Sequence, residues 1–164
     1  MVKALVAYAS KYGATAEIAQ TIAATLTDRE FEVDLSPAEA VRSVEGYDVV
    51  VIGSGVYAGN WLSGASDFIK HFADVLADKA VYIFSSGPTG EGDPVTLLNG
   101  WIFPESLQEV ANRIQPRDIT LFHGKIDLEK LNWGERLIIK AVRGATGDAR
   151  DWTMIREWAE KITA

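Results

Sequence analysis

The spacing of apolar and polar positions changes several times along the chain, and each change marks an element. Val2, Ala4, Leu5, Val6, Ala7 and Tyr8 form a nearly unbroken apolar run that ends at Ser10, Lys11, Tyr12 and Gly13. That is the pattern of a strand covered on both faces, followed by a turn. From Ala14 the apolar spacing lengthens to four, with Ile18, Ile22 and Leu26 in line and Glu17, Gln20 and Asp28 on other faces, which predicts a first helix. Glu30 to Leu35 alternates as a strand and stops at Ser36 and Pro37, while Tyr47 to Gly53, with Val49, Val50, Val51 and Ile52, is the strongest central-strand signal. A second helix carries Phe68, Ile69, Phe72, Ala73 and Leu76, a strand spans Ala80 to Phe84, a third helix spans Ser106 to Ile114, and another strand spans Ile119 to Phe122. The last helix starts near Asp151, a capping side chain, and repeats Ile155, Trp158, Ala159 and Ile162 at helical spacing. Strands alternating with helices predict the α/β class, as a doubly wound five-stranded parallel sheet with helices on both faces.

The 164 residues suit a single domain spanning residues 1–164. Between the fifth strand and the last helix, residues 125–150 exceed what a simple crossover needs and are expected to be an inserted segment. This segment is locally basic, with Lys125, Lys130, Arg136, Lys140, Arg143 and Arg150 against Asp127, Glu129, Glu135 and Asp148, in a chain of formal charge -7. The overall acidity argues against nucleic acid as a partner. With no cysteine and only His71 and His123, thiolate chemistry, Cys-ligated clusters and His-rich metal centres are excluded, so redox chemistry would need an organic cofactor. No metal ligand and no catalytic side chain is assigned: Asp67, Glu91 and Asp93 show no paired partner in the sequence, and the two histidines read as structural or surface residues. Without a leader or a membrane-length apolar run, the expected location is cytoplasmic.

Chemistry is expected in the loops beyond the carboxyl ends of the strands. In the first, Ser10, Lys11, Tyr12, Gly13, Ala14 and Thr15 join strand one to helix one. Gly13 allows close backbone approach, Ser10 and Thr15 supply hydroxyls, and the helix N-terminus favours an anion such as a terminal phosphate. The loop matches neither the P-loop nor the dinucleotide glycine motif. The second runs from Gly53 to Trp61 and contains Val56, Tyr57, Ala58 and Gly59, with the rings of Tyr57 and Trp61 available either to stack on a planar group or to pack on the neighbouring helix. The third, Ser85, Ser86, Gly87, Pro88, Thr89, Gly90 and on to Pro94, could present backbone groups to a heterocycle edge or form a surface excursion.

Taken together, these loops resemble the layout of the flavodoxin family, across nearly the whole chain. The resemblance implies a flavodoxin-like fold that binds FMN, with the phosphate in the first loop and the isoalloxazine between the second and third. The family's first loop reads approximately [ST]-x-[ST]-G-x-[ST]; here Tyr12 replaces the middle hydroxyl, whereas Ser10, Gly13 and Thr15 keep the pattern. Tyr57 falls on the family's second-loop aromatic, with Trp61 a second candidate, and the third loop lacks the aromatic that usually covers the outer ring face. An open face suits reaction with a substrate or a quinone.

The tail, with Leu131, Asn132, Trp133 and Gly134 followed by Glu135 to Arg143 and then Gly144 to Trp152, is similar to that of the flavodoxin-fold, menaquinone-dependent protoporphyrinogen dehydrogenases. This implies an FMN-dependent oxidoreductase that passes electrons from a tetrapyrrole to a quinone; the alternative is a flavodoxin-type electron carrier for redox partner proteins. Arg136, Lys140 and Arg143 share one face at helical spacing. They are the candidates to receive substrate propionates or anionic lipid headgroups, the latter implying peripheral contact at the inner membrane face. The same pattern also describes an ordinary packing helix with solvated cations.

Overall fold

A computed structural model describes residues 1–87, 102–126, 147–148 and 150–164. The core strands in chain order are β1 (Lys3–Ala9), β2 (Glu32–Pro37), β3 (Val49–Tyr57), β5 (Ala80–Ser86) and β6 (Asp118–Phe122), with a two-residue β4 (Asn60–Trp61) after β3. The helices are α1 (Ala14–Asp28), α2 (Ser63–His71), α3 (Ala73–Leu76), α4 (Gln108–Ile114) and α5 (Trp152–Glu160). Among the described residues the five core strands pair in parallel in the order β2-β1-β3-β5-β6, and β4 folds back antiparallel on β3. This is the expected flavodoxin-like doubly wound sheet, whose order reverses between β1 and β3.

Strand alternation explains why both faces are covered. Leu5, Ala7, Val50, Ile52, Val81 and Ile83 pack with Phe68, Ile69, Leu76 and Ile114 of α2, α3 and α4. Ala4, Val6, Val49, Val51, Tyr82 and Phe84 pack with Ile18, Ile22 and Leu26 of α1 and with Ile155 and Ala159 of α5. The two helices on this second face are tied at their far end by Arg29, whose Nη1 donates to the Ala159 carbonyl at 2.8 Å.

The observed elements differ from expectation in several places. β2 starts at Glu32 because Glu30 turns the chain with φ 68. The second helix breaks at Phe72, whose φ of -97 and ψ of 10 leave helical geometry. The third begins as a 3-10 turn over Glu105–Leu107 before α4. β3 continues past Gly53 to Tyr57, since Ser54 and Gly55 go on pairing with Ser85 and Ser86 of β5. A further hairpin, β7 (Lys125–Ile126) with β8 (Gly147–Asp148), brings together the two ends of the inserted segment.

Candidate functional site

The parallel register aligns the carboxyl ends of three strands at the point where the order reverses: Ala9 lies opposite Ser54, and Gly55 opposite Ser86. Three of the predicted loops therefore leave the sheet at one edge. In the first, Gly13 is the N-terminal flanking residue of α1 with φ 92, and its amide donates to Ser10 Oγ at 3.0 Å. Among the described residues no side chain caps the first turn of α1, which leaves the unpaired amides of a helix start available to a ligand. A Cβ built on Gly13 would meet nothing within 4 Å, whereas one on Gly55 would lie 3.1 Å from Thr15 Oγ1. The loop after β1 and the end of β3 are thus in close contact, while no described residue fills the space over Gly13. This uncapped helix start, open above a left-handed glycine and flanked by hydroxyls, fits a phosphate monoester.

The second loop is a tight hairpin. Ala58 and Gly59 both have positive φ, 48 and 79, and Tyr57 pairs with Asn60 across the turn, the conformation that two-residue hairpins favour. It leaves Tyr57 40% exposed at the edge. Lys11 from the first loop places its Nζ 4.5 Å from the Tyr57 ring centroid and 5.3 Å from that of Tyr12, so a cation and two rings bridge the gap between the loops.

Trp61 behaves differently from Tyr57. It is only 6% exposed, its indole N–H donates to Ser85 Oγ at 2.8 Å, and its ring meets Phe103 edge-on at 5.2 Å. Of the two alternatives open for this residue, packing is the one observed. Trp61 and Ser85 form a brace under the loops, and Ser54 adds a second one, its Oγ accepting from the Leu62 amide at 3.0 Å and donating to the Gly55 carbonyl at 2.8 Å. Gly87 closes onto the next strand, its amide donating to the Phe122 carbonyl at 3.1 Å. Its carbonyl would lie 2.8 Å from a Cβ on Gly124, so that second glycine is what allows the loops after β5 and β6 to meet.

Val56, Tyr57, Ala58, Gly59, Ser86 and Gly87 thus join Ser10 to Thr15 around one edge. Pro88, Gly90, Arg136, Lys140 and Arg143 lie outside the described residues. Among the described residues there is no group of acidic or histidine side chains that could hold a metal ion, and no helix long and apolar enough to cross a membrane.

Sequence reasoning passed over one part of this region. Arg150, whose side chain is 3% exposed, grips Asp148 through Nε to Oδ1 at 2.9 Å and Nη2 to Oδ2 at 2.7 Å. The available signal was the recurrence of Asp148, Arg150 and Trp152 at every second position, a carboxylate and an indole that both meet the guanidinium between them. The Arg150 hydrogen bonds hold the Asp148 carboxyl down at about 2, against an ordinary 3.8. A carboxyl with a depressed pKa stabilises the fold fully above its ordinary value and loses that contribution as pH falls through its folded one. The melting-temperature gap between the wild type and Asp148→Asn is therefore expected to stay constant above the ordinary carboxylate range and to close as pH falls from 3.8 to about 2. A gap that did not vary with pH would show that the pair contributes nothing through its charge.

The flavodoxin domain family model matches residues 5–153. Protoporphyrinogen IX dehydrogenase (quinone) of Escherichia coli K12 is 22% identical over 171 residues, covering 98% of this chain and 94% of that protein. The Streptococcus pneumoniae TIGR4 flavodoxin superposes with a TM-score of 0.64 at 18% identity, covering 98% of this chain and 97% of the other. A Fusobacterium nucleatum flavodoxin mutant bound to flavin mononucleotide superposes with a TM-score of 0.54 at 15% identity, over 72% of this chain and 68% of the other.

Proposed function

The chain belongs to the flavodoxin domain family, and on that premise we propose that it is an FMN-binding oxidoreductase that oxidises a tetrapyrrole and delivers the electrons to a quinone. The observation that carries the cofactor is the uncapped, open start of α1 beside Ser10, Gly13 and Thr15. Those residues hold the phosphate. Tyr57 offers a ring face, Val56, Ala58, Gly59, Ser86 and Gly87 line the edge around it, and Pro88 and Gly90 belong to the same loop by sequence. When bound, FMN supplies the electron transfer that no side chain of this chain provides.

The substrate assignment is supported by the full-length relationship to the Escherichia coli dehydrogenase, and by the lack of an aromatic residue between Ser85 and Pro94. Arg136, Lys140 and Arg143 serve as receivers for the substrate's carboxylates. Peripheral residence at a membrane, where a quinone is found, fits the same basic segment.

A second reading, a carrier of electrons between proteins, is favoured by the flavodoxin structural neighbour and by the net charge of -7. One experiment separates the two. The FMN-loaded protein is photoreduced anaerobically and mixed either with a soluble menaquinone analogue or with a flavodoxin reductase and its oxidised nicotinamide. Reoxidation by the quinone in preference to the reductase is expected. Rapid exchange with the reductase and a sluggish quinone reaction would establish the carrier instead.

A further inference from the structure

Among the described residues, a buried cation joins the base of the inserted segment to the phosphate end of the site. Arg150 donates from Nη1 to the Ala14 carbonyl at 3.2 Å, and the same nitrogen lies 3.5 Å from Glu17 Oε1 in the first turn of α1. Its other contacts hold it fast: the double hydrogen bond to Asp148, a backbone amide that also donates to Asp148 Oδ1 at 3.1 Å, and a guanidinium 4.6 Å from the Trp152 ring centroid. A planar fork matched to a carboxylate and stacked on an indole is geometry that only arginine provides.

The placement has two consequences. The Ala14 carbonyl belongs to the peptide that joins Ala14 to Thr15, so anchoring it fixes the point where the loop that takes the phosphate enters α1. Arg150 also sets its positive charge against two carboxylates, Asp148 and Glu17, which would otherwise project an uncompensated negative field onto a site meant for an anion. Both carboxylates are about half exposed, with side-chain accessibilities of 41% and 52%, whereas Arg150 is sealed between them.

We propose that Arg150 is a positioning residue for the phosphate, holding the Gly13 to Thr15 backbone in register and cancelling the charge of Asp148 and Glu17, so that FMN is selected over flavins without a phosphate. The proposal rests on the FMN reading above and deepens it. Arg150 need not touch the phosphate, since the donors described are committed to Asp148, Ala14 and Glu17. It also gives the base of the inserted segment a role: β8 carries Asp148, so the hairpin that closes the insertion is fastened to the cofactor loop.

FMN and riboflavin titrations on the apoprotein test it, since the two ligands share the ring and differ in the phosphate. Arg150→Met is expected to weaken FMN about tenfold, the scale of a lost charged hydrogen bond, and to leave riboflavin nearly unchanged. The FMN loss should shrink as salt is added, because a field from half-exposed carboxylates is screened. Arg150→Lys, which keeps the charge and loses the fork and the stacking, should recover only part of the FMN affinity lost in Arg150→Met. Glu17→Gln placed on Arg150→Met should restore part of what was lost.

Should Arg150→Met fail to fold, Glu17→Gln alone carries the test, with FMN tightening about threefold and riboflavin unmoved. Equal weakening of both flavins, or an FMN affinity indifferent to Arg150 and Glu17, would overturn the proposal and leave Arg150 a purely structural tie. A wild-type chain that binds neither flavin would overturn the FMN reading itself and this proposal with it, an outcome distinct from a wild type that binds FMN and a variant that ignores the phosphate.

Discussion

Gly13→Val is expected to weaken FMN binding about a hundredfold while the chain stays folded, a loss of about 2.7 kcal/mol in binding. Gly13 sits at φ 92 and ψ -12, in the left-handed region from which a β-branched residue is excluded by its own backbone. Space is not the obstacle, since a Cβ there would meet nothing within 4 Å; the whole effect passes through the peptide planes. A valine restoring negative φ would turn the 12–13 and 13–14 peptides, pull the residue 13 amide from Ser10 Oγ at 3.0 Å and redirect the first free amides of α1. Strain of this kind costs about 1–3 kcal/mol, which a 164-residue fold registers as a drop in melting temperature of a few degrees. Gly59→Ala is the matched control. Gly59 also has positive φ, 79, and a Cβ there would likewise meet nothing within 4 Å, yet it lies in the β3–β4 turn, so the change should lower the melting temperature with a much smaller effect on FMN. Isothermal titration and thermal melts on both variants check the pair, and equal FMN losses would show that the first loop has no special part.

Gly53→Ala is expected to have the largest effect on stability of any single methyl group added to the sheet. A Cβ at Gly53 would lie 2.0 Å from Phe84 Cζ and 2.1 Å from Cε1, on the neighbouring strand at the paired position. The ring of Phe84 crosses the glycine because no side chain is there. It has nowhere to go, being fully buried, with Phe122 and Trp158 at centroid distances of 5.9 and 6.2 Å. Overpacking in such a core costs about 1–3 kcal/mol and more where neighbours cannot move; at Gly53 a cost of about 3 kcal/mol is expected, lowering the melting temperature by about 10 °C. Phe84→Leu removes the atoms that clash. Alone it should destabilise, and combined with Gly53→Ala it should cost less than the two single changes added together, a coupling that a double-mutant cycle measures directly. Strict additivity would mean that the ring and the glycine do not meet.

Elements whose side chains pack on both faces were legible from the sequence, because Val49 to Ile52 or Ala4 to Ala7 carry their burial in their composition. The continuation of β3 through Ser54 and Gly55 was not, since it depends on hydrogen bonds to Ser85 and Ser86, about thirty residues away, and not on any apolar pattern. The cofactor loop could be recognised locally: Ser10, Gly13 and Thr15 lie within six residues, and one left-handed glycine joins strand to helix. Trp61 could not be resolved in the same way. Next to glycines and Tyr57 it reads equally well as an exposed ring or a packed one, and only Ser85 and Phe103, supplied by distant segments, decide between them. Arg150 was the least visible of all, one basic residue among six in residues 125–150, whose bond to Ala14 spans 136 positions. Its meaning came from the sheet, which places the start of α1 beside the start of α5.

If the loop from Ser10 to Thr15 and the start of α1 receive the phosphate of FMN, removing that phosphate from the ligand should remove most of the affinity. Parallel titrations of the purified apoprotein with FMN and riboflavin, at matched pH and ionic strength, measure this. FMN is expected to bind about a hundredfold tighter than riboflavin, an advantage of about 2.7 kcal/mol carried by the phosphate alone. Equal affinity for the two flavins, or no binding of either, would contradict the assignment of this loop to the phosphate.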